Sequence, residues 1–210
     1  MALRIAVLLS GSGSSLENLA ARIDKGEVDA EIVCVISSKP AAFGLERARR
    51  RGLPAHAVDR RSHGSDGSFN DAIHAILDEV SPELVVLAGF LSRVELRAFR
   101  GRIMNIHPAL IPAFSGAGFY GDRVHRAVLE AGVKLTGATV HFCDDEYDRG
   151  PIILQQAVPV EDGDSVESLA AGVLATEHEI YPRAIQLFAE GRFDVEGQVV
   201  RVLPSATGKS

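Results

Sequence analysis

The fold is decided by the stretch Arg4-Ile5-Ala6-Val7-Leu8-Leu9-Ser10-Gly11-Ser12-Gly13-Ser14, in which an apolar run is followed at once by a turn of small residues. A run with apolar residues at successive positions is typical of a parallel strand that is buried on both faces. Three similar runs follow, at Glu31 to Ser37, Leu84 to Ala88 and Ile103 to Ile106. We therefore predict four parallel strands, of which the first spans Arg4 to Ser10.

Helical patterns separate these strands. Apolar residues recur at helical spacing in two stretches, as Leu16, Leu19, Ala20 and Ile23 and as Phe69, Ala72, Ile73, Ile76, Leu77 and Val80. Strands and helices that alternate in this way predict a parallel sheet with right-handed crossovers. Binding sites in such sheets form at the carboxyl ends of the strands.

The pattern changes in the second half of the chain. Two neighbouring strand-like runs, Thr136 to Cys143 and Ile152 to Val160, are joined by the acidic and polar loop Asp144 to Pro151. That loop cannot continue either strand, so it must project from the sheet. A long helix is expected from Asp164, with Glu167 in capping-box register.

Together the patterns predict an α/β fold with a Rossmann-like, mostly parallel sheet, helices on both faces and antiparallel additions in the C-terminal half. The long C-terminal helix is expected to be interrupted near Pro182, because proline removes a helical hydrogen bond. We expect one domain over residues 1–203. The small and polar residues 204–210 are expected to form a frayed tail.

Composition narrows the class of protein and its partners. The 210 residues, 46% of them hydrophobic, suffice for one substantial core, and the net charge of -6 gives no reason to expect nucleic acid binding. Cys34 and Cys143 lie in apolar runs without CxxC spacing, which favours buried thiols and a cytoplasmic location. The run Ile5 to Leu9 is too short to span a membrane, so no membrane association is expected.

The turn Ser10 to Ser14 is a candidate phosphate site. It opens a helix in which Ser14 and Glu17 have capping-box spacing, so backbone N–H groups and the positive helix end converge on an anion-sized space. The dinucleotide fingerprint does not match, because position 16 is Leu and no acidic residue ends the second strand. A mononucleotide-type loop and a plain strand-to-helix turn both fit this pattern.

The segment Asn105-Ile106-His107-Pro108 and the later Asp148 form a candidate catalytic constellation. An amide and an imidazole can donate hydrogen bonds to an oxygen that becomes negative during attack, and a carboxylate can orient the imidazole. Such a set fits acyl transfer without a covalent nucleophile. Taken singly, His107 is more typical of a structural hydrogen bonder and Asn105 of a turn, but side chains two apart on a strand share a face.

Other polar features of this region favour ordinary roles. His141 lies in a strand-like run and is interpreted as a core or site-wall histidine rather than as an acid or base. The loop acids lack calcium-loop spacing and a histidine or cysteine ligand pattern, so no metal site is predicted; they are Asp144, Asp145, Glu146 and Asp148. A serine hydrolase is disfavoured, because the chain has no G-x-S-x-G motif.

Five segments resemble the phosphoribosylglycinamide formyltransferases of the formyl-folate transferase family, in the family's order and over nearly the whole chain. The N-x-H-P segment, followed by T-V-H and D-x-G-P-I, is the most specific part. The five segments are Ser10 to Ser15, Leu87 to Phe90, Asn105 to Pro112, Thr136 to Phe142 and Asp148 to Ile153.

The resemblance implies a direct transfer of formyl from the cosubstrate 10-formyltetrahydrofolate to the amine of glycinamide ribonucleotide in purine biosynthesis, with no metal. It implies that Asn105 and His107 polarise the formyl oxygen and stabilise the tetrahedral oxyanion. Asp148 would pair with His107 and help to move the proton of the attacking amine through water. Both substrates are then small molecules, and a monomer or homodimer is expected.

The resemblance also implies binding residues. The substrate phosphate and ribose are expected at Gly11, Ser12, Gly13, Ser14, Ser15 and Glu177. The folate pterin is expected along Phe90, Leu91, Ser92, Arg93 and Val94 and against the backbone of Val140, His141, Phe142, Cys143 and Asp144. The chain departs from the family pattern at Ser15, at Leu174 and after Phe90, and the long segment Ser115 to Gly121 is expected to form a lid over the nucleotide site.

Three alternatives stay open. Formyltetrahydrofolate deformylase resembles the chain in the same Asn, His and Asp, but it normally has an extra N-terminal domain, whereas the first strand here begins at Arg4. Methionyl-tRNA formyltransferase shares the core but adds a C-terminal RNA-binding domain and needs a basic surface. A nucleotide-binding module without catalysis would have no need for Asn105, His107 and Asp148 together.

Overall fold

The computed structural model describes residues 1–205, which divide into two compact units, residues 1–104 and the residues from 105 onward. Residues 206–210 of the expected tail lie outside the described residues. The single domain expected over residues 1–203 stays a prediction. Within the described range, no helix combines the length and the apolar character that crossing a membrane requires.

The first unit is built from parallel strands and intervening helices. Its strands are β1 (Leu3–Leu9), β2 (Ala30–Ser37), β3 (Ala55–Ala57) and β4 (Leu84–Leu87), and its helices are α1 (Ser14–Asp24), α2 (Phe43–Arg50) and α3 (Asp66–Val80). The strands lie in the order β3-β2-β1-β4, and each neighbouring pair is parallel. The carboxyl ends of β1, β2 and β4 therefore meet at one edge.

Burial explains why these strands read as continuous apolar runs. Residues Ile5 to Leu9 of β1 have no solvent exposure, and neither have Leu84 to Val86 of β4. The buried residues of α3 include Phe69, Ile73 and Leu77, which are spaced four apart and form the predicted stripe. Each such side chain contributes about 1.5–3 kcal/mol when it leaves water.

The second unit contains the antiparallel additions. It begins within β5 (Ile103–His107) and continues through α4 (Asp122–Ala131), β6 (Leu135–Phe142), β7 (Ile152–Pro159), α5 (Val166–Ala189), β8 (Phe193–Glu196) and β9 (Val199–Val202). β6 and β7 are antiparallel, as are β8 and β9, whereas β7 and β9 are parallel. The predicted fold class is confirmed.

The start of α1 differs from the sequence prediction. Gly13 is its N-cap, with a left-handed φ of 75°, and no side chain caps the helix. The expected capping box of Ser14 and Glu17 is therefore wrong. Glycine at positive φ turns the chain into the helix without a hydroxyl cap, and the Glu17 carboxylate accepts hydrogen bonds from Arg51 instead.

The long helix α5 also differs from its prediction. Ser165 is the N-cap, and it forms a capping box with Ser168 rather than with Glu167. The helix continues through Pro182 without interruption. Ile180 and Ile185 on either side of the proline are buried, so packing compensates for the hydrogen bond that proline cannot make.

Candidate active site

A backbone carbonyl fixes the ring of His107 at the end of β5. The residue is 3% exposed, and its Nε2 lies 2.8 Å from the carbonyl oxygen of Phe114. A carbonyl can only accept a hydrogen bond, so Nε2 of the neutral ring carries the proton and donates it. Nδ1 is then the nitrogen that can gain or lose a proton, and it lies 3.5 Å from Oδ2 of Asp148.

Asp148 is placed by a tight turn between β6 and β7. Its φ is 54°, in the left-handed region that aspartate enters more readily than most residues. A Cβ on Gly150 would lie 1.9 Å from the carbonyl oxygen of Phe142, so only glycine allows this close approach. The N–H of Gly116 donates to Oδ2 of Asp148 at 2.9 Å. The carboxylate is thus fixed by its own turn and by a backbone donor.

Asn105 reaches this cluster through His141. Nδ1 of His141 lies 2.9 Å from the carbonyl oxygen of Phe142, so it carries the proton of the neutral ring. Nε2 of His141 then accepts from the Asn105 amide, whose Nδ2 lies at 3.1 Å. One N–H of the amide is used in this bond, and the second N–H is available to another acceptor.

His141 also connects Asn105 to the carboxylate. Its Nε2 lies 3.7 Å from Oδ1 of Asp148, which is too long for a hydrogen bond. The two groups are nevertheless close neighbours. We use the name polar cluster for the four side chains of Asn105, His141, Asp148 and His107. The sequence interpretation of His141 as a site-wall residue included no contact with Asn105, and the structure adds one.

Electrostatics set the charges within the polar cluster. Burial alone would raise the pKa of Asp148, but His141, His107 and the Gly116 N–H outweigh it and hold that pKa below its ordinary value. Burial lowers the pKa of His107 more than Asp148 and the Phe114 carbonyl raise it. At neutral pH the cluster therefore holds a carboxylate beside a neutral imidazole.

The segment after His107 is anchored by Thr139 of β6. The N–H of Ile111 donates to Oγ1 of Thr139 at 3.1 Å, and that hydroxyl donates to the carbonyl oxygen of Ala109 at 2.6 Å. The side chain of Gln155 donates to the same hydroxyl oxygen at 3.0 Å. These bonds fix the start of the segment that supplies the Phe114 carbonyl and the Gly116 N–H to the polar cluster. The lid expected from Ser115 to Gly121 stays a prediction.

The glycine loop of the first unit, residues 10–15, is a separate candidate site. It follows β1 and enters α1 through Gly13, whose Cβ, if one were present, would lie 2.6 Å from the Cα of Gly44 in α2. The loop can approach α2 only because both positions are glycine. This close packing leaves the loop's backbone N–H groups at the N-terminal end of a helix, where anions bind.

The segment Phe90 to Val94, expected to line the folate site, is tied to the glycine loop. The N–H of Leu91 donates to the Ser10 hydroxyl at 2.9 Å, and that hydroxyl is also bonded to the hydroxyl of Ser38 at 2.6 Å. Phe90 stacks against Phe69 with ring centroids 6.4 Å apart. The start of the predicted folate segment and the start of the predicted phosphate loop are thus fixed by one buried hydroxyl.

Glu177 lies on α5 and is half-buried. Among residues 1–205 no hydrogen bond or ion pair to its carboxyl is found. Burial raises its pKa to about 7. A carboxyl in this state can accept hydrogen bonds from ligand hydroxyls in place of water.

No cluster of three or more His, Cys, Asp or Glu side chains with the geometry of a metal site is present among the described residues.

Comparison with known proteins decides the family. A family model described as formyl transferase matches residues 3–185. The chain belongs to the formyl transferase family. It is 36% identical to the phosphoribosylglycinamide formyltransferase of Haemophilus influenzae, over 99% of this chain and 97% of that protein. The structure of glycinamide ribonucleotide transformylase 1 from Symbiobacterium toebii matches with a TM-score of 0.91 and 46% identity, covering 97% of this chain and 95% of that one.

Other relatives in this family are much longer. The chain is 45% identical to the trifunctional purine biosynthetic protein adenosine-3 of Gallus gallus, over 91% of this chain, but it spans only 19% of that protein. The family resemblance predicted from the sequence is confirmed by these matches. They do not test the individual site residues, whose roles stay predictions.

Little side-chain surface is exposed in Val140 to Asp144, the second of the two segments that are expected to meet folate. Phe142 packs edge-on against Phe188 and Phe193, with ring centroids 6.3 and 5.9 Å apart. Cys143 is half-buried, and burial, with the charges of Asp148 and Asp144, raises the pKa of its thiol far above the ordinary value. The expected contact of folate with the backbone of this segment stays a prediction.

Two contributors to the polar cluster were missed by sequence reasoning. Phe114 supplies a carbonyl and Gly116 an N–H, and any residue type carries both groups. The one sign of these contributors in the sequence was the glycine at position 116, which adopts a φ of 96°.

Proposed function

We propose that the chain transfers a formyl group from 10-formyltetrahydrofolate to the primary amine of glycinamide ribonucleotide. Family membership supports the reaction class, since formyl-folate is the cosubstrate of formyl transferases. The observation that carries the proposal is the polar cluster. In it, Nδ2 of Asn105 lies 3.1 Å from Nε2 of His141, that nitrogen lies 3.7 Å from Oδ1 of Asp148, and Oδ2 of Asp148 lies 3.5 Å from Nδ1 of His107.

Direct attack by the amine fits this cluster better than a covalent intermediate. The thiol nearest to Asp148 in sequence is that of Cys143, and its raised pKa keeps it protonated at neutral pH. The catalytic task is then to stabilise the oxyanion that forms when the amine adds to the formyl carbon. The second N–H of Asn105 is suited to this, because the first N–H is held by His141.

His107 and Asp148 are proposed to carry the proton of the amine. As the C–N bond forms, the amine loses a proton, and water passes it to the unprotonated Nδ1 of His107. Nδ1–H can then donate to the oxyanion, while Asp148 stabilises the imidazolium at 3.5 Å. When the bond between the formyl carbon and N10 of folate breaks, N10 takes this proton. The products are the formamide and tetrahydrofolate, and His107 is neutral again.

The glycine loop and Glu177 are proposed to bind the ribonucleotide. The loop has N–H groups at the N-terminal end of α1, which suits a phosphate. Glu177 has a carboxyl with an elevated pKa and no hydrogen-bond partner among residues 1–205, which suits a ribose. For the folate we propose the segment Phe90 to Val94 and the backbone of Val140 to Asp144.

One assay tests the proposed reaction. The protein is incubated with 10-formyltetrahydrofolate, with and without glycinamide ribonucleotide, and loss of the formyl group is followed. Consumption that requires the ribonucleotide and yields its formyl derivative is expected. Equal consumption without the ribonucleotide would mean hydrolysis, the deformylase alternative, and would overturn the proposal. The cytoplasmic location, the absence of nucleic acid partners and the monomer or homodimer stay predictions.

A further inference from the structure

Three successive carbonyl groups of the glycine loop, those of Gly11, Ser12 and Gly13, each accept a hydrogen bond from a protein donor. The Gly11 carbonyl accepts from the N–H of Gly44 at 3.0 Å, and the Gly13 carbonyl accepts from the N–H of Glu17 at 3.0 Å. Between them, the Ser12 carbonyl accepts from Nε of Arg47 at 3.1 Å. Only the last of these three bonds comes from a side chain, so only this bond can be removed without changing the backbone.

From Gly11 to Ser15, the backbone N–H groups of the same loop are left without protein partners, whereas the N–H of Ser10 donates to the Gly89 carbonyl at 3.0 Å. Within residues 1–205, no acceptor is found for the backbone N–H of Gly11, Ser12, Gly13, Ser14 or Ser15. Carbonyls that point to one side of a loop leave the N–H groups to the other side, and successive N–H groups of this kind form an anion-binding concavity. The carbonyl contacts therefore determine where the anion donors point.

Arg47 is itself held in place on α2. Its guanidinium lies over the Phe43 ring, 5.0 Å from the centroid, and its Nη1 is 3.6 Å from Oε2 of Glu17. Arg51 pairs with the other oxygen of the same carboxylate. Glu17 offsets the positive charge of Arg47 next to the loop. We therefore expect the hydrogen bond from Nε of Arg47 to the Ser12 carbonyl to affect the loop more than the charge does.

We propose that Arg47 is a positioning residue for phosphate binding: its Nε–H holds the Ser12 carbonyl so that the N–H groups of the glycine loop point to the anion. This inference rests on the proposed function of the loop in binding the substrate phosphate. It assigns the effect to the hydrogen bond rather than to the charge of the guanidinium.

Three substitutions separate these two effects. Arg47→Met keeps the apolar stem and removes both the donor and the charge. Arg47→Gln removes the charge but keeps an N–H donor. The side-chain nitrogen of Gln is separated from Cα by the same number of bonds as Nε of Arg. Arg50→Met is the matched control, because Arg50 also lies over the Phe43 ring, at 5.7 Å, but pairs with Glu46 of its own helix rather than with the loop.

The first measurement is a titration with inorganic phosphate, followed by the backbone amide NMR signals of residues 11–15. We expect wild type, Arg47→Gln and Arg50→Met to bind phosphate with dissociation constants within threefold of one another. We expect Arg47→Met to bind at least tenfold more weakly. If Arg47→Gln and Arg47→Met weaken phosphate binding equally, the effect belongs to the charge and the inference is overturned. The inference is also overturned if neither variant weakens phosphate binding.

The second measurement is steady-state kinetics with glycinamide ribonucleotide. The KM for the ribonucleotide should rise at least tenfold in Arg47→Met and less than threefold in Arg47→Gln, with kcat and the KM for folate changed less than twofold in both. Loss of kcat with an unchanged KM would contradict a positioning role. If Arg47→Met does not fold, Arg47→Lys replaces it; this variant keeps the charge but moves the donor by one bond, and it should raise KM at least fivefold.

The two measurements distinguish failure of the inference from failure of the proposed function. Phosphate binding that depends on the Arg47 donor, in a protein that does not formylate the ribonucleotide, would leave the inference standing and remove the proposed reaction. Wild-type amides of residues 11–15 that do not respond to phosphate would overturn the inference whatever the protein catalyses.

Discussion

The glycine loop and the polar cluster are built in opposite ways. The loop presents backbone N–H groups, and its sequence matters because Gly13 and Gly44 allow two segments to approach. The polar cluster presents the side chains of Asn105, His107 and Asp148, and the backbone only orients them. Substitutions in the loop should therefore alter binding through geometry, whereas substitutions in the cluster should alter the chemical step.

The largest effect is expected from Asp148→Asn. The amide keeps the shape of the side chain but removes the charge that stabilises the imidazolium, so kcat should fall about 10²-fold or more. Steady-state kinetics test this, with Glu146→Gln as the control, since Glu146 is an exposed acid in the same loop. An unchanged kcat in Asp148→Asn would remove the carboxylate from the mechanism.

The pH dependence of kcat/KM probes the same cluster. Burial holds the pKa of His107 below its ordinary value of 6.5, and the proposed route needs Nδ1 unprotonated. After correction for titration of the substrate amine, kcat/KM should fall on acidification only at a pH below the ordinary histidine pKa of 6.5, by up to about tenfold per pH unit. Activity that rises on acidification would show that the imidazolium is the active form.

Gly13→Ala tests the glycine loop. A Cβ at this position would lie 2.6 Å from the Gly44 Cα at a φ of 75°, so the loop must shift. The KM for the ribonucleotide should rise about tenfold, and the free energy of unfolding should fall by about 2 kcal/mol, with kcat nearly unchanged. Gly11→Ala is the control for the loss of stability, because a Cβ there meets no protein atom within 4 Å. An equal loss of stability in the two variants would contradict the packing explanation.

Glu177→Gln is expected to change the stability of the fold. Burial raises the folded-state pKa of Glu177 to about 7, above the ordinary 4.5, so the folded protein must carry a buried charge at higher pH. This carboxyl therefore destabilises the fold increasingly as pH rises from 4.5 to 7. Denaturant unfolding should show Glu177→Gln more stable than wild type by about 2 kcal/mol at pH 8, with the difference vanishing near pH 4. A pH-independent difference would contradict the raised pKa.

Sequence patterns predicted the secondary structure of the buried parts well. The predicted strand Arg4 to Ser10 is found at Leu3–Leu9, and the predicted stripe on α3 is buried as expected. These predictions depend on burial, which leaves a periodic signal in residue type. The short exposed strands β8 and β9 were not predicted, because their apolar residues are too few and too exposed to give such a signal.

Local alternatives of similar energy account for the wrong predictions. At the start of α1, Ser14 and Glu17 have capping-box spacing, but a left-handed Gly13 makes the cap unnecessary. In α5, Ser165 rather than Asp164 is the N-cap, so Ser168 rather than Glu167 completes the capping box. The contact of His141 with Asn105 depends on the neighbouring strands and on a histidine tautomer, and neither can be read from spacing.

The central claim is that Asn105, His107 and Asp148 act together on one formyl carbon. A double-mutant cycle on kcat, with Asn105→Ala, Asp148→Asn and the combined variant, tests this most directly. We predict that each single change lowers kcat strongly and that the combined variant is slower than the slower single variant by no more than about threefold. A combined loss equal to the product of the two single losses would show that the two side chains act independently and would contradict the claim.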